Sequence, residues 1–462
     1  MSTKKTPTAP HSKSVKAAGD LDPSFGTDGL VTIPNPDEPD AFFYISGITN
    51  NPTADADNRL YVCYWFNETY IMRLLQDGQI DTSFGNAGYT KLPKGNPATD
   101  YMPKMHDFIF LTSGKIIGWG DIRTFDREND MRFTIPAAVC FTSEGVVDTT
   151  FGDAGIAIFR LFVSPESVRS LETLTEESER VRRPSKDANK TERTLPANRS
   201  RAIRLENGKL LLVGTTYYEG DLIIASYLIR LNADGALDTD FGENGIVVLP
   251  APDDWMLSVY FDTDRRGGVF VASNFGYDNL PATIVGYDTE GQVDPRFGIN
   301  GLVPITNPVE PALGSRVWGI IVLDDGRVIV SVTFVTWDSG TYPTALMILL
   351  PNGNPDPEFN YGEPVFIKLT QGGSFVGSTI SMDDGNRIVL SGTREKPNEP
   401  SLGCMVRLMP NGMLDTGFGS GGTAVFEHLE EVDITVIQNR VDIIMATPDP
   451  VSGEGVLFRV TG

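Results

Sequence analysis

Histidine and cysteine are scarce in this chain, three of each in 462 residues, and long apolar runs are missing altogether. His11 falls in the N-terminal tail, and no fixed serine or cysteine partner can be named for His106 or His428, which leaves no nucleophilic triad to build. Cys63, Cys140 and Cys404 form neither a metal-ligand cluster nor a disulfide framework; they fit buried strand positions in a reducing compartment. The G-x-S-x-G, H-E-x-x-H and P-loop patterns are absent. The opening MSTKKTPTAPHSKSVKAAGD is basic and rich in Ser, Thr and Pro but lacks the apolar core of a signal peptide. No stretch approaches a membrane span. The cytoplasm is therefore the expected location, with export by another route left open. Basic residues are also short: 38 Lys plus Arg face 61 Asp plus Glu, a net charge of −23. Such a surface repels phosphate backbones and anionic lipid, so neither nucleic acid nor membrane is an expected partner.

What the chain does contain is a repeat. Aligning on Phe-Gly yields LDPSFGTDG (21–29), IDTSFGNAG (80–88), VDTTFGDAG (147–155), LDTDFGENG (237–245), VDPRFGING (293–301), PDPEFNYG (355–362) and LDTGFGSGG (414–422). The phenylalanines, Phe25, Phe84, Phe151, Phe241, Phe297, Phe359 and Phe418, are spaced by 59, 67, 90, 56, 62 and 59 residues. An aspartate stands three residues before each, and a glycine three residues before each aspartate. The sixth copy departs slightly, with Asn360 in place of glycine and one residue missing before Gly362. Between signatures, runs such as SGKIIGWG (113–120), NGKLLLVG (207–214) and DGRVIVSV (325–332) precede a second type, YIMRLLQDG (70–78), YLIRLNADG (227–235) and CMVRLMPNG (404–412). Short Val/Ile/Leu runs bounded by Gly, Asp and Asn turns read as strands, about four per repeat, which is the content of a propeller blade.

Over roughly residues 19–462 these motifs resemble the bacterial delta-60 repeat family, whose repeat carries the L-D-x-x-F-G-x-x-G core followed by a G-K-hydrophobic strand. The resemblance implies a propeller-like β fold and almost nothing about activity. The expected fold is all-β, a closed seven-bladed β-propeller of four-stranded blades. The chain starts on a lone fourth strand, Leu30 to Ile33, and stops on a third strand, Val456 to Val460, so the N-terminal strand is expected to complete the last blade. Residues 1–18 read as a disordered tail. The long spacing before Phe241 locates a charged insertion at about 165–200.

Identical chemistry at seven symmetric positions suits packing better than catalysis. Each signature aspartate is expected to hydrogen-bond turn amides, and each phenylalanine to plug between blades. Arg73, Arg230, Arg407 and Arg459 recur on third strands and are expected to pair with turn carboxylates or backbone carbonyls. Asp55, Asp57 and Asn58 suggest a calcium loop only in part, because the twelve-residue pattern with its closing glutamate is missing. No catalytic residue, metal ligand or cofactor is assigned.

The connections that differ between repeats emerge at the opposite face, and binding residues favour variable loops on a rigid scaffold. Aromatic residues recur there beside acids and amides: Trp65, Tyr218, Trp255, Tyr277 with Asp278, and Trp337 with Asp338. Such rings suit protein interfaces and also sugars. The reading is a non-enzymatic binding scaffold that presents this face to a protein partner. Two alternatives stay open: a carbohydrate-binding, lectin-like propeller, and a hydrolase or lyase with a carboxylate site in the central funnel.

Overall fold

The computed structural model describes residues 17–33, 44–50, 59–66, 68–92, 103–111, 113–126, 131–159, 202–219, 224–249, 256–264, 266–275, 280–335, 344–383, 385–427, 434–438, 442–448 and 455–461. They form 28 β-strands and one single-turn 3-10 helix at Asn360–Gly362. Strands pair mostly with their sequence neighbours, so the sheets are antiparallel meanders. Two of the second strands, VFVASNF and VIVSVTF, are buried along their whole length, because each is covered on both faces. The fourth strands have only two to four residues, which leaves little open edge to recruit another chain.

Four sheets are simple four-strand meanders. They comprise β2–β5 (Tyr44–Asn50, Leu60–Phe66, Glu68–Leu74, Tyr89–Lys91) and β14–β17 (Met256–Thr263, Val269–Phe275, Thr283–Tyr287, Leu302–Pro304). The others are β18–β21 (Ser315–Val322, Val328–Phe334, Thr344–Leu349, Val365–Phe366) and β22–β25 (Ser374–Met382, Ile388–Glu395, Leu402–Leu408, Thr423–Phe426). A fifth joins β26–β28 (Ile434–Gln438, Asp442–Pro448, Gly455–Val460) to β1 (Leu30–Thr32), with Leu30 opposite Phe458 and Thr32 opposite Val456. The sixth has eight strands: β6–β9 (Pro103–Phe110, Ile116–Asp126, Met131–Phe141, Ile156–Ile158) and β10–β13 (Ala202–Arg204, Leu210–Glu219, Ile224–Leu231, Ile246–Val248).

The chain is thus an all-β propeller with four-stranded blades. The repeat count predicts seven separate sheets, whereas hydrogen bonding defines six. The reason is strand length: β7 and β8 run to 11 residues each, past the end of a normal blade, and β8 overlaps the tip of β11. There Tyr218 pairs with Phe133 and Glu219 with Arg132, fusing two runs into one sheet. First strands of successive sheets pack together, β2 on β6, β14 on β18, β18 on β22, β22 on β26, and β26 on β2. Apart from Ala17 and Ala18, the expected tail and the insertion at 165–200 lie outside the described residues.

At the end of the sheets that carries the third-to-fourth turns, the signature is consumed by packing. Asp81 is representative. Its Oδ1 accepts from the Ser83 amide at 3.1 Å, and its Oδ2 from Arg73 Nε at 2.8 Å. Arg73 also donates from Nη1 to the Ser143 carbonyl of the next repeat at 2.9 Å and lies 4.7 Å from the Phe84 ring centre. Burial pushes the Asp81 carboxyl up, but Ser83 and Arg73 outweigh it and hold the group below its usual range. The same arrangement recurs at Arg230–Asp238, Arg407–Asp415 and Arg459–Asp22. Where the third strand lacks arginine, another cation substitutes: Lys115 for Asp148, Arg296 for Asp294 and Arg327 for Asp356.

All seven signature phenylalanines are buried, and they pack between sheets; Phe84 clusters with Met105 and Ile116, Phe241 with Val259 and Phe261. The glycine of the following repeat must be glycine: a Cβ on Gly235, at φ +88°, would lie 1.9 Å from Phe151. Backbone bonds then tie repeat to repeat, Gly26 N to Asp77 O, Gly85 N to Glu144 O, Gly242 N to Glu290 O and Gly419 N to Ala18 O, each 2.7 Å. The cysteines are buried, and burial raises the Cys140 thiol to about 11 and Cys404 to about 12. Both are protonated and unreactive at neutral pH.

Candidate functional site

The opposite end of the sheets carries the second-to-third connections and the links between sheets. Of the aromatic and acidic residues expected to bind there, the described residues include only two, and those by their backbone alone. Trp65 lies in β3 with its backbone opposite Tyr44 and Thr69, and Tyr218 lies in β11 opposite Phe133. The side chains of these two, and Trp255, Tyr277, Asp278, Trp337 and Asp338 entirely, lie outside the described residues.

The roots of two of these segments are described. Asn274, at the end of β15, is buried. Its Nδ2 donates to Val317 O at 2.7 Å and its Oδ1 accepts from Val317 N at 2.8 Å. Val317 is available because β18 is the first strand of its sheet and bulges between Val317 and Gly319. At the far side, the Ala282 amide donates to Ser315 Oγ at 3.0 Å, and Ser315 in turn donates to Ile305 O at 2.5 Å. The segment holding Tyr277 and Asp278 is therefore anchored to the neighbouring sheet at both ends.

The segment holding Trp337 and Asp338 starts from Val335, whose carbonyl accepts from the buried Asn307 Nδ2 at 2.7 Å. The Val335 amide donates to Gly314 O at 3.1 Å. Asn307 Oδ1 takes the amides of Val309 and Glu310 at 3.0 and 3.1 Å, shaping the Asn-Pro turn between β17 and β18. One carboxamide thus couples a sheet-to-sheet link to a second-to-third connection.

A polar band lies just beneath. Half-buried Trp318, the bulged residue of β18, donates from Nε1 to Thr333 Oγ1 at 2.7 Å; Thr333 and Thr344 share a 3.0 Å hydroxyl contact. Thr344 Oγ1 accepts the Gly377 amide of the next sheet at 3.0 Å. Bulges also follow Ile45, Met105, Met256 and Gly377. In three cases the residue before the bulge is gripped from the preceding sheet: Met105 by Cys63, Val317 by Asn274, and Gly377 by Thr344.

Sequence reasoning missed Asn274, Asn307, Thr333 and Trp318. The available signal was a polar residue near the end of a largely apolar second strand, Asn274 in VFVASNF and Thr333 in VIVSVTF. The chemistry of this region is that of hydroxyls, amides and an indole, which recognise by hydrogen bonding and stacking. Among the described residues no group of three His, Cys, Asp or Glu stands close enough to hold a metal ion.

A family model described as a domain of unknown function (DUF5122) β-propeller matches residues 56–84, 205–241 and 386–418. Each match spans a second and a third strand and ends on a signature phenylalanine, which supports a propeller repeat family of unknown function. No curated protein matches the chain in sequence. Among solved structures, a protein of unknown function from Dyadobacter fermentans is similar at 12% identity, covering 81% of this chain and 95% of its own, with a TM-score of 0.41. An ulvan lyase, a polysaccharide lyase, is similar at 11% identity over 91% of this chain and 95% of its own, TM-score 0.44. An α-L-arabinofuranosidase of Fusarium graminearum is similar at 9% identity over 77% and 92%, TM-score 0.39. Identities this low do not bear on activity.

Proposed function

We propose that this chain is a non-enzymatic binding scaffold whose variable loop face takes a protein partner, and that its repeats form a closed ring of seven units. Counted by repeat, the eight-stranded sheet divides at the Tyr218–Phe133 pair into two four-strand units. The pairing of β1 with β28, the Gly419 N to Ala18 O bond and the packing of β26 on β2 support closure. Placement in the cytoplasm belongs to the same proposal; no helix among the described residues is long and apolar enough to cross a membrane.

One observation carries the functional reading: the two ends of the sheets are used differently. The signature end spends its aspartates, arginines and phenylalanines on ties between repeats. The other end roots unlike segments, those of Tyr277–Asp278 and Trp337–Asp338, through the buried carboxamides of Asn274 and Asn307. Dissimilar loops on fixed roots are what a binding face requires, since pre-organised roots reduce the ordering cost of association.

The test is a triple variant, Trp337→Ala, Tyr277→Ala and Trp255→Ala. Pull-down and glycan-array binding should fall while circular dichroism stays unchanged. A protein partner lost by the variant supports the scaffold; glycan binding would move the reading to a lectin, and turnover of a glycan by the wild type to an enzyme. Unchanged binding by the triple variant removes these rings from the site.

A further inference from the structure

The sixth signature turn breaks the pattern in a way that packing does not explain. At the left-handed position before the last glycine, the first five copies place Asp28, Ala87, Ala154, Asn244 and Asn300, all small, at φ between 51° and 55°. The sixth places Tyr361 there at φ 59°, a conformation that bulky L residues avoid. Asn360, at φ 48°, fixes the turn by donating from Nδ2 to the Glu363 carbonyl at 3.0 Å. The turn forms in the other copies without an aromatic ring, and here the ring packs on almost nothing: Tyr361 is 93% exposed. Strain retained for an exposed aromatic side chain points outward, to a partner.

The neighbouring turn is unusual in the same direction. Gly412 is seated on Phe359, where an added Cβ would lie 2.8 Å from the ring, so the Met409–Met413 turn packs directly beside the sixth signature turn. Met409 is 41% exposed and Met413 67%, both facing solvent next to the segment that presents Tyr361. Exposed Glu358 and Glu363 bracket the tyrosine. A second copy of the chain would bring another −23 of charge against this surface, so like-charge repulsion argues against self-association as its use.

We propose that the sixth signature turn and the Met409–Met413 turn form a second docking surface, on the face opposite the variable loops, for a basic protein segment. A lysine or arginine of that segment stacks on the Tyr361 ring between the two glutamates, and its apolar neighbours cover the methionines. The test is fluorescence anisotropy of the full-length protein with a labelled peptide alternating lysine and leucine. Tyr361→Asn is the key variant: it leaves the charge unchanged and installs the residue the fourth and fifth copies use. It should weaken peptide binding about ten-fold, as loss of an aromatic anchor does, while the melting temperature holds or rises. Met413→Gln should also weaken binding, and Trp337→Ala should leave it unchanged, which separates this surface from the variable loop face. Equal affinity of the wild type and Tyr361→Asn would overturn the proposal. So would wild-type self-association in sedimentation that Tyr361→Asn abolishes, because the occupant would then be a second copy.

Discussion

Replacing Arg73 by methionine tests whether the signature end is a set of structural ties. Arg73 is 7% exposed and joins two repeats: Nε meets Asp81, Nη2 meets Ser83 Oγ, and Nη1 crosses to Ser143 O. Removing one partner of a buried ion pair costs about 3–5 kcal/mol. Here Arg59 Nε stays 3.2 Å from the same Asp81 oxygen and offsets part of that loss. Loss of the donor to Ser143 adds about 1 kcal/mol, and methionine recovers most of the packing of the arginine stem. The net loss is about 3 kcal/mol. An unfolding entropy of about 2.1 cal/mol/K per residue makes 1 kcal/mol worth about 1 °C in a chain of this length, so Tm should fall by about 3 °C. Differential scanning calorimetry at neutral pH measures it, with Arg73→Lys as the intermediate case that keeps the charge but not the fork of donors. A Tm for Arg73→Met within about 1 °C of wild type would refute the assignment of this arginine as a tie between repeats, given an expected shift about three times larger.

Acid should act on the same network. Asp22, Asp81, Asp238 and Asp294 all have carboxyls held below their usual range. A depressed folded-state pKa gives stability that is present above the unfolded value, near 4, and is lost as pH falls below it toward the folded value. Melts between about pH 7 and pH 3 should be flat to about pH 4.5 and then drop, and Asp238→Asn should shrink that drop; an unchanged slope would count against the network. Deleting residues 1–34 removes β1, Asp22 and Phe25, and should unfold or aggregate the protein, whereas deleting 1–16 should leave its melting curve alone; equal melting of the two truncations refutes the role given to the N-terminal strand. Asn274→Ala leaves Val317 N and O without their partner and should cost about 2 kcal/mol. Partner binding through the Tyr277 segment should weaken with it, and undiminished affinity at full occupancy would show that the root does not position that segment.

Strand content, the repeat and the roles of its fixed residues were legible in the sequence because they depend on local chemistry. Alternating apolar runs between Gly, Asp and Asn turns can form little but short strands. An aspartate placed eight residues after an arginine, with a turn between them, brings the two together, as Arg73 and Asp81 show. The repeat also marks the sixth turn as irregular, since Asn360 stands where the other copies have glycine. The tertiary structure decided what depends on neighbours distant in the chain. Two residues of overlap between the ends of β8 and β11 turn two expected sheets into one, and no local pattern encodes that overlap. The grip of Asn274 on Val317 spans 43 residues and relies on a bulge, which has no sequence signature of its own. At Cys140, where arginine is missing, only the fold shows that Lys115 reaches Asp148 instead. Local propensity selects strands and turns, but the cation that meets a buried carboxylate is the one the packed sheets bring within reach.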